Sequence, residues 1–97
     1  MVLKDLSVIV MGKMVIRYKI FPTDIDVNLQ TIYDEIKQKL AGQAEVGQFK
    51  TEPIAFGLSA LILDIRVDDN VDMDSIESAI KELKNVSELE VVASTKV

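Results

Sequence analysis

The chain has 97 residues, of which 48% are apolar and 28% charged, the balance of a single globular domain with a modest core. It contains neither cysteine nor histidine, so disulfides, thiolate metal sites and conventional Ser-His or Cys-His catalysis are excluded. The net charge of −5 disfavours a nucleic-acid partner. No apolar run approaches the roughly 18 residues that span a bilayer, and we expect a cytoplasmic protein that is not an enzyme.

The N-terminal part divides into an extension and a strand. Residues 1–12 precede the periodic part of the chain, and we expect them to be dispensable, with the folded domain covering 13–97. A strand is predicted over Met14–Phe21, because apolar residues alternate there with Arg17 and Lys19. One side of this strand would be covered, and the side with the two cations would be open.

A helix is predicted after Pro22, with Asp26 or Asn28 as its N-cap. Apolar residues recur at helical spacing, and Gly42 supplies the C-terminal stop. The apolar stripe consists of Leu29, Ile32, Tyr33, Ile36 and Leu40.

Two strands are predicted next. The segment Glu45–Pro53 is polar enough for a sheet edge, and Leu58–Val67 shows the strongest alternation in the chain. Asp68-Asp69-Asn70 ends the second of these strands.

The segment between the two strands is Glu52-Pro53-Ile54-Ala55-Phe56-Gly57. Pro53 fixes its own φ and Gly57 is free to adopt positive φ, so we expect a shaped turn. Phe56 would be either a plug for the core or an anchor for a partner. The local sequence leaves both interpretations open.

A second helix is predicted with Asp74 and Glu77 as a capping box and with Asn85 closing it in a left-handed conformation. Its apolar stripe consists of Ile76, Ala79, Ile80 and Leu83. Strict alternation predicts a last strand, with one set of residues on each of its sides. One side carries Leu89, Val91 and Ala93, and the other carries Glu88, Glu90, Val92 and Ser94.

The order strand, helix, strand, strand, helix, strand predicts an α+β, ferredoxin-like βαββαβ sandwich. Its four-stranded antiparallel sheet would have the order 4-1-3-2, with both helices on one face. On the open face, Arg17 and Lys19 would lie across from Asp64, Glu88 and Glu90 as a solvated lattice of ion pairs.

We expect neither a metal nor a cofactor. The acidic run from Asp68 to Asp74 lacks the mid-loop glycine of a calcium site, and capping explains it better. The four glycines are scattered and form no phosphate-binding fingerprint.

Three features together resemble the archaeal translation elongation factor 1-beta family and the C-terminal domain of the eukaryotic factor. They are the turn from Glu52 to Leu58, the acidic stop Val67-Asp68-Asp69, and the tail Ser94-Thr95-Lys96-Val97. The resemblance covers about Met14–Val97. One departure is Leu58-Ser59-Ala60, which stands where the eukaryotic domain has basic residues.

The resemblance implies a guanine nucleotide exchange factor for the GTPase elongation factor 1-alpha. We expect a monomer without direct contact to nucleic acid or membrane. It implies that Phe56 packs against the GTPase and that Lys96 reaches the Mg²⁺ and phosphate site. Further partner contacts are expected at Pro53, Ile54, Gly57 and Val97.

An alternative function remains on the same fold. The chain would then be a small-molecule-binding regulatory or oligomerisation module that associates through its sheet. Such a module should have a less charged open face than the one predicted here.

Overall fold

The computed structural model describes residues 13–68 and 71–96. The predicted order of elements is confirmed. The elements are β1 (Lys13–Pro22), α1 (Leu29–Lys39), β2 (Glu45–Ala55), β3 (Leu58–Asp68), α2 (Met73–Lys81) and β4 (Val86–Lys96). The predicted N-terminal extension, Asp69-Asn70 and Val97 lie outside the described residues. Neither helix of the described part is long and apolar enough to cross a membrane.

The four strands form one sheet in the order β2-β3-β1-β4, with every neighbouring pair antiparallel. This is the predicted ferredoxin-like topology. The sheet has two ends, a hairpin end and a terminal end. At the hairpin end, Pro22 pairs with Val86, and the β2–β3 turn follows Ala55. At the terminal end, Met14 pairs with both Val67 and Lys96.

Register explains the core. Three cross-strand pairs, Ile16–Ile65, Tyr18–Leu63 and Ile20–Leu61, put their buried side chains on one face of the sheet. Both helices contribute buried residues to the same cluster, so they cover that same face. The helix residues are Ile32, Ile36, Leu40, Ile76 and Ile80. Burial of each such side chain contributes about 1.5–3 kcal/mol.

The start of α1 is capped by Asn28, one of the two predicted residues. The Asn28 side-chain oxygen accepts a hydrogen bond from the backbone N–H of Gln30 at 2.8 Å. Gly42 follows the helix with φ of +84°, a left-handed conformation that glycine adopts without a steric penalty. The prediction of the C-terminal stop is therefore confirmed.

The predicted capping box of α2 is wrong. Asp72 is the N-cap and accepts from the Asp74 N–H at 3.0 Å and from the Ser75 hydroxyl at 3.1 Å. Asp74 therefore lies inside the first turn, where its charge still favours the helix dipole. Glu77 instead accepts a hydrogen bond from the buried Tyr18 hydroxyl at 3.1 Å. Burial, reinforced by the Glu77 carboxylate, raises the Tyr18 pKa well above its usual range.

The predicted left-handed Asn85 is also wrong. The helix ends at Lys81 with Glu82 as a right-handed C-cap. Within the described ranges, Phe56 is the only residue other than glycine with positive φ. The Asn85 carbonyl instead accepts a hydrogen bond from the Thr23 N–H at 3.0 Å, which ties the two loops at the hairpin end together.

A β-bulge interrupts the alternation predicted for β4. Val91 pairs with Tyr18 and Ala93 pairs with Arg17, so Val92 is an extra residue without a partner on β1. Since one extra residue reverses the sidedness of everything after it, Ala93 lies on the open face and not with Val91 as predicted. By the same reversal, Ser94 lies on the helix side of the sheet, opposite Ile16.

Candidate functional site

The β2–β3 connection is a two-residue turn with an unusual residue in it. Ala55 pairs with Leu58, which leaves Phe56 and Gly57 as the loop, with φ of +52° and +82°. Two successive positive φ values define a type I′ hairpin turn, for which Asn-Gly is the preferred sequence. Gly57 fits this geometry. An L-residue with a side chain as large as that of Phe56 pays about 1–2 kcal/mol for it.

The Phe56 side chain is 99% exposed. Phe56 therefore contributes no buried surface to the core, and the interpretation as a core plug is wrong. The fold gains nothing from an aromatic residue in a strained conformation on a turn tip. Strain without a folding benefit is typical of functional positions.

The residues beside Phe56 shape its surroundings. Pro53 pairs with Ser59, so Ile54 is an extra residue between Pro53 and Ala55 and is 39% exposed. Pro53 lies on β2, an edge strand, where a missing N–H leaves the ladder intact. The structure thus brings together the four predicted contact residues of the turn: Pro53, Ile54, Phe56 and Gly57.

Lys96 lies at the other end of the sheet. It is the last residue of β4, is exposed, and pairs with Met14 on the side that the helices cover. Along β3, the distance from Leu58 at the turn to Val67 at the level of Met14 is roughly 30 Å, because a strand advances about 3.3 Å per residue. Phe56 and Lys96 therefore do not form one compact site. Val97, the last predicted contact residue, is outside the described residues.

The open face carries ion pairs, but of the three predicted carboxylates only Asp64 pairs with a cation of β1 within the described residues. Arg17 donates two hydrogen bonds to Asp64, at 2.8 and 3.1 Å. The hydrogen bond from Arg17 lowers the pKa of the Asp64 carboxyl, and its charge adds to the effect. Lys19 faces Glu90 in register but forms its ion pair with Glu52, at 2.6 Å. Three of these four side chains are at least 40% exposed, and Lys19 is 23% exposed. Such pairs near the surface contribute little to stability.

A cleft of about 300 Å³ lies at the terminal end of the sheet. Its lining includes Lys13, Glu45, Arg66 and Asp68. Lys13 already forms ion pairs with Glu45 and Asp68, each at 3.6 Å. Small-molecule sites are usually lined by apolar and aromatic side chains, so this cleft does not favour a ligand-binding module. Within residues 13–68 and 71–96, no group of three acidic side chains is arranged to hold a metal ion.

Ile25 is a further exposed apolar residue, and it was not among the predicted site residues. Ile25 is 59% exposed in the loop between β1 and α1. The Asp24 carbonyl accepts from the Val27 N–H at 3.2 Å, so Ile25 lies at the tip of a tight turn. The signal available in the sequence was an isoleucine between two aspartates, shortly after the first strand ends at Pro22.

Comparison with known proteins gives a consistent result. The EF-1 guanine nucleotide exchange domain matches residues 15–97 of the chain. An archaeal protein named elongation factor 1-beta, from Sulfurisphaera tokodaii, is 40% identical over 81 residues, which cover 81% of this chain and 89% of that protein. Proteins of the same name from Saccharolobus solfataricus and Saccharolobus islandicus are 37% identical with the same coverage. The chain therefore belongs to the EF-1 guanine nucleotide exchange family of translation elongation factors.

Proposed function

We propose that the chain promotes the exchange of GDP for GTP on elongation factor 1-alpha. The observation that carries this proposal is the fully exposed Phe56 on a strained turn, in a chain of the exchange family. Rigid exposed aromatics are frequent anchors of protein interfaces. The exchange unit is residues 13–97, acting as a monomer and without nucleic acid.

Phe56 is the docking residue in this mechanism. The type I′ turn holds its ring out of the core before the partner arrives, so little conformational entropy is lost on binding. Pro53 and Gly57 fix the path of the chain on either side of the ring, and the partly exposed Ile54 adds apolar area beside it.

Lys96 acts on the nucleotide site, together with the contact made by Val97. Its ammonium group, placed near the Mg²⁺ position, competes with the charge that helps to hold the phosphates of GDP. Coupling between the two ligands of the GTPase is reciprocal, so a factor that binds the empty GTPase more tightly weakens GDP by the same ratio. GDP then leaves, GTP enters, and the factor dissociates.

The geometry sets a requirement for the partner. Since the turn and the end of β4 lie roughly 30 Å apart along the sheet, one GTPase must offer an apolar pocket and its nucleotide site at a matching separation. The factor then works as a rigid spacer between two contacts.

The release of labelled GDP from the cognate GTPase tests the role of Lys96. Lys96→Met removes the charge and keeps most of the side-chain length, and we expect the maximal release rate to fall by about tenfold or more. Lys50→Met, at an exposed lysine within the edge strand β2, is the matched control and should behave as the unchanged chain does. Raising the Mg²⁺ concentration should weaken the effect of the unchanged chain. An unaltered rate with Lys96→Met would refute the mechanism.

A further inference from the structure

Exposed apolar side chains are concentrated at the hairpin end. Of the large apolar residues that are exposed in the described part, three lie there, namely Ile25, Ile54 and Phe56. The other two, Val91 and Val92, lie on the edge strand β4. Single exposed apolar residues are common on any protein, so the position of Ile25 carries more weight than its exposure.

The topology brings the Ile25 turn to the same end as Phe56. The pairing of Ile20 with Leu61, continued by two residues, places Pro22 beside Ser59, close to the hairpin turn. The hydrogen bond from Thr23 to Asn85 holds the start of the loop at this end. Ile25 follows Pro22 by three residues and so lies at most about 10 Å from it.

The turn at residues 23–27 is ordered by its own hydrogen bonds. The Asp24 side chain accepts from the Asp26 N–H at 3.4 Å, and the Asp24 carbonyl accepts from the Val27 N–H. Ile25 is thereby presented at the tip with an exposed aspartate on each side. An apolar centre with a polar border is the usual composition of a protein interface.

We propose that the Ile25 turn is a second docking element, which contacts the same GTPase as Phe56. This inference rests on the proposed function and extends its contact surface. The complementary partner surface is an apolar depression bordered by lysine or arginine side chains, which would face Asp24 and Asp26. The Ile25 turn lies at the same end of the sheet as the Phe56 turn, and for this reason we assign it the same partner, the GTPase.

A docking role differs from the role of Lys96 in what it changes. Ile25 lies at the hairpin end, far from the end of β4, so it stabilises the complex without acting on the nucleotide. Loss of its side chain therefore raises the concentration of factor needed for half-maximal exchange and leaves the maximal rate in place.

The test compares Ile25→Ser with Val91→Ser in the GDP-release assay, using the full chain at a series of concentrations. Val91 is a matched control because it is 53% exposed, against 59% for Ile25. We expect Ile25→Ser to raise the half-maximal concentration roughly 5- to 10-fold and Val91→Ser to leave it unchanged. In the double variant Asp24→Asn, Asp26→Asn, the half-maximal concentration should depend less on salt than it does for the unchanged chain. Thermal melts should show the same stability for Ile25→Ser as for the unchanged chain.

The outcomes separate this inference from the function on which it rests. If Phe56→Asn raises the half-maximal concentration and Ile25→Ser does not, the second docking element is refuted and the exchange function stands. A fall in the maximal rate of Ile25→Ser at an unchanged half-maximal concentration would also refute it. If the unchanged chain does not accelerate GDP release, the proposed function itself fails.

Discussion

At Phe56, the residue type conflicts with the backbone conformation that the turn requires. Its φ of +52° is the one that a type I′ turn requires, and asparagine or glycine would adopt it more readily. The presence of Pro53 and Gly57 correctly predicted a shaped turn between β2 and β3. The exposure of Phe56 could not be predicted, because it depends on the loop having two residues, and that depends on how β2 pairs with β3.

Replacement of Phe56 by asparagine should separate stability from activity. Since the change relieves the backbone strain and removes no buried contact, we expect Phe56→Asn to raise the free energy of unfolding by about 1 kcal/mol. The half-maximal concentration for exchange should rise about tenfold or more, because the anchor is lost. Denaturant unfolding and the GDP-release assay measure the two effects.

Phe56→Tyr is the control for this experiment, since it keeps the aromatic ring and the strain. It should retain exchange and show no gain in stability. A loss of several kcal/mol in Phe56→Asn, of the size seen for truncated core aromatics, would contradict the exposed position described here.

At the scale of elements, alternation predicted the strands and their buried sides well, because β1 and β3 pack one face against both helices. It failed in β4. The adjacent valines Val91 and Val92 were the only local sign of the bulge, and its position is decided by pairing with β1, far away in sequence. The prediction of the α2 N-cap failed for a local reason. Asp72 and Asp74 are both suitable N-cap residues, and their residue type alone does not decide between them.

The position of the bulge leads to a prediction about single-residue changes in β4. Deletion of Val92 should straighten the strand and leave Lys96 opposite Met14, so exchange should be retained. Insertion of one alanine between Ser94 and Thr95 should turn the lysine to the open face of the sheet and reduce the maximal exchange rate at least about tenfold.

Both variants alter the chain by one residue near the same exposed strand end, so each serves as the control for the other. GDP release and a thermal melt of each variant provide the comparison. Equal activity in the two variants would show that the side from which Lys96 projects has no bearing on exchange.

At the scale of the whole molecule, the order of elements predicted the strand order correctly, and the family resemblance predicted Phe56 and Lys96 as contact residues. The structure places them at opposite ends of the sheet, which follows from the register of β3 and β4 against β1. Sequence motifs indicate individual residues, but they do not give the distance between residues on different strands. Their separation appears only when the strands are paired.

This separation predicts that the effects of the two residues multiply. Phe56→Asn and Lys96→Met share no contact across roughly 30 Å, so their combined effect on the second-order rate of GDP release should equal the product of the single effects within about twofold. The measurement uses factor concentrations well below half-maximal. A double variant no slower than Lys96→Met alone would mean that the two residues act in one contact.

The bulge in β4 also determines where this chain can change in length. Between Leu89 and Ala93, a residue can be lost at Val92 without altering the phase of the lysine, because β1 has no counterpart for that residue. From Ala93 to Lys96 every residue pairs with one residue of β1, so an inserted residue there shifts the pairing of all that follow. A change in the length of β4 is therefore tolerated at Val92, whereas a change of one residue after Ala93 moves Lys96 to the other face of the sheet.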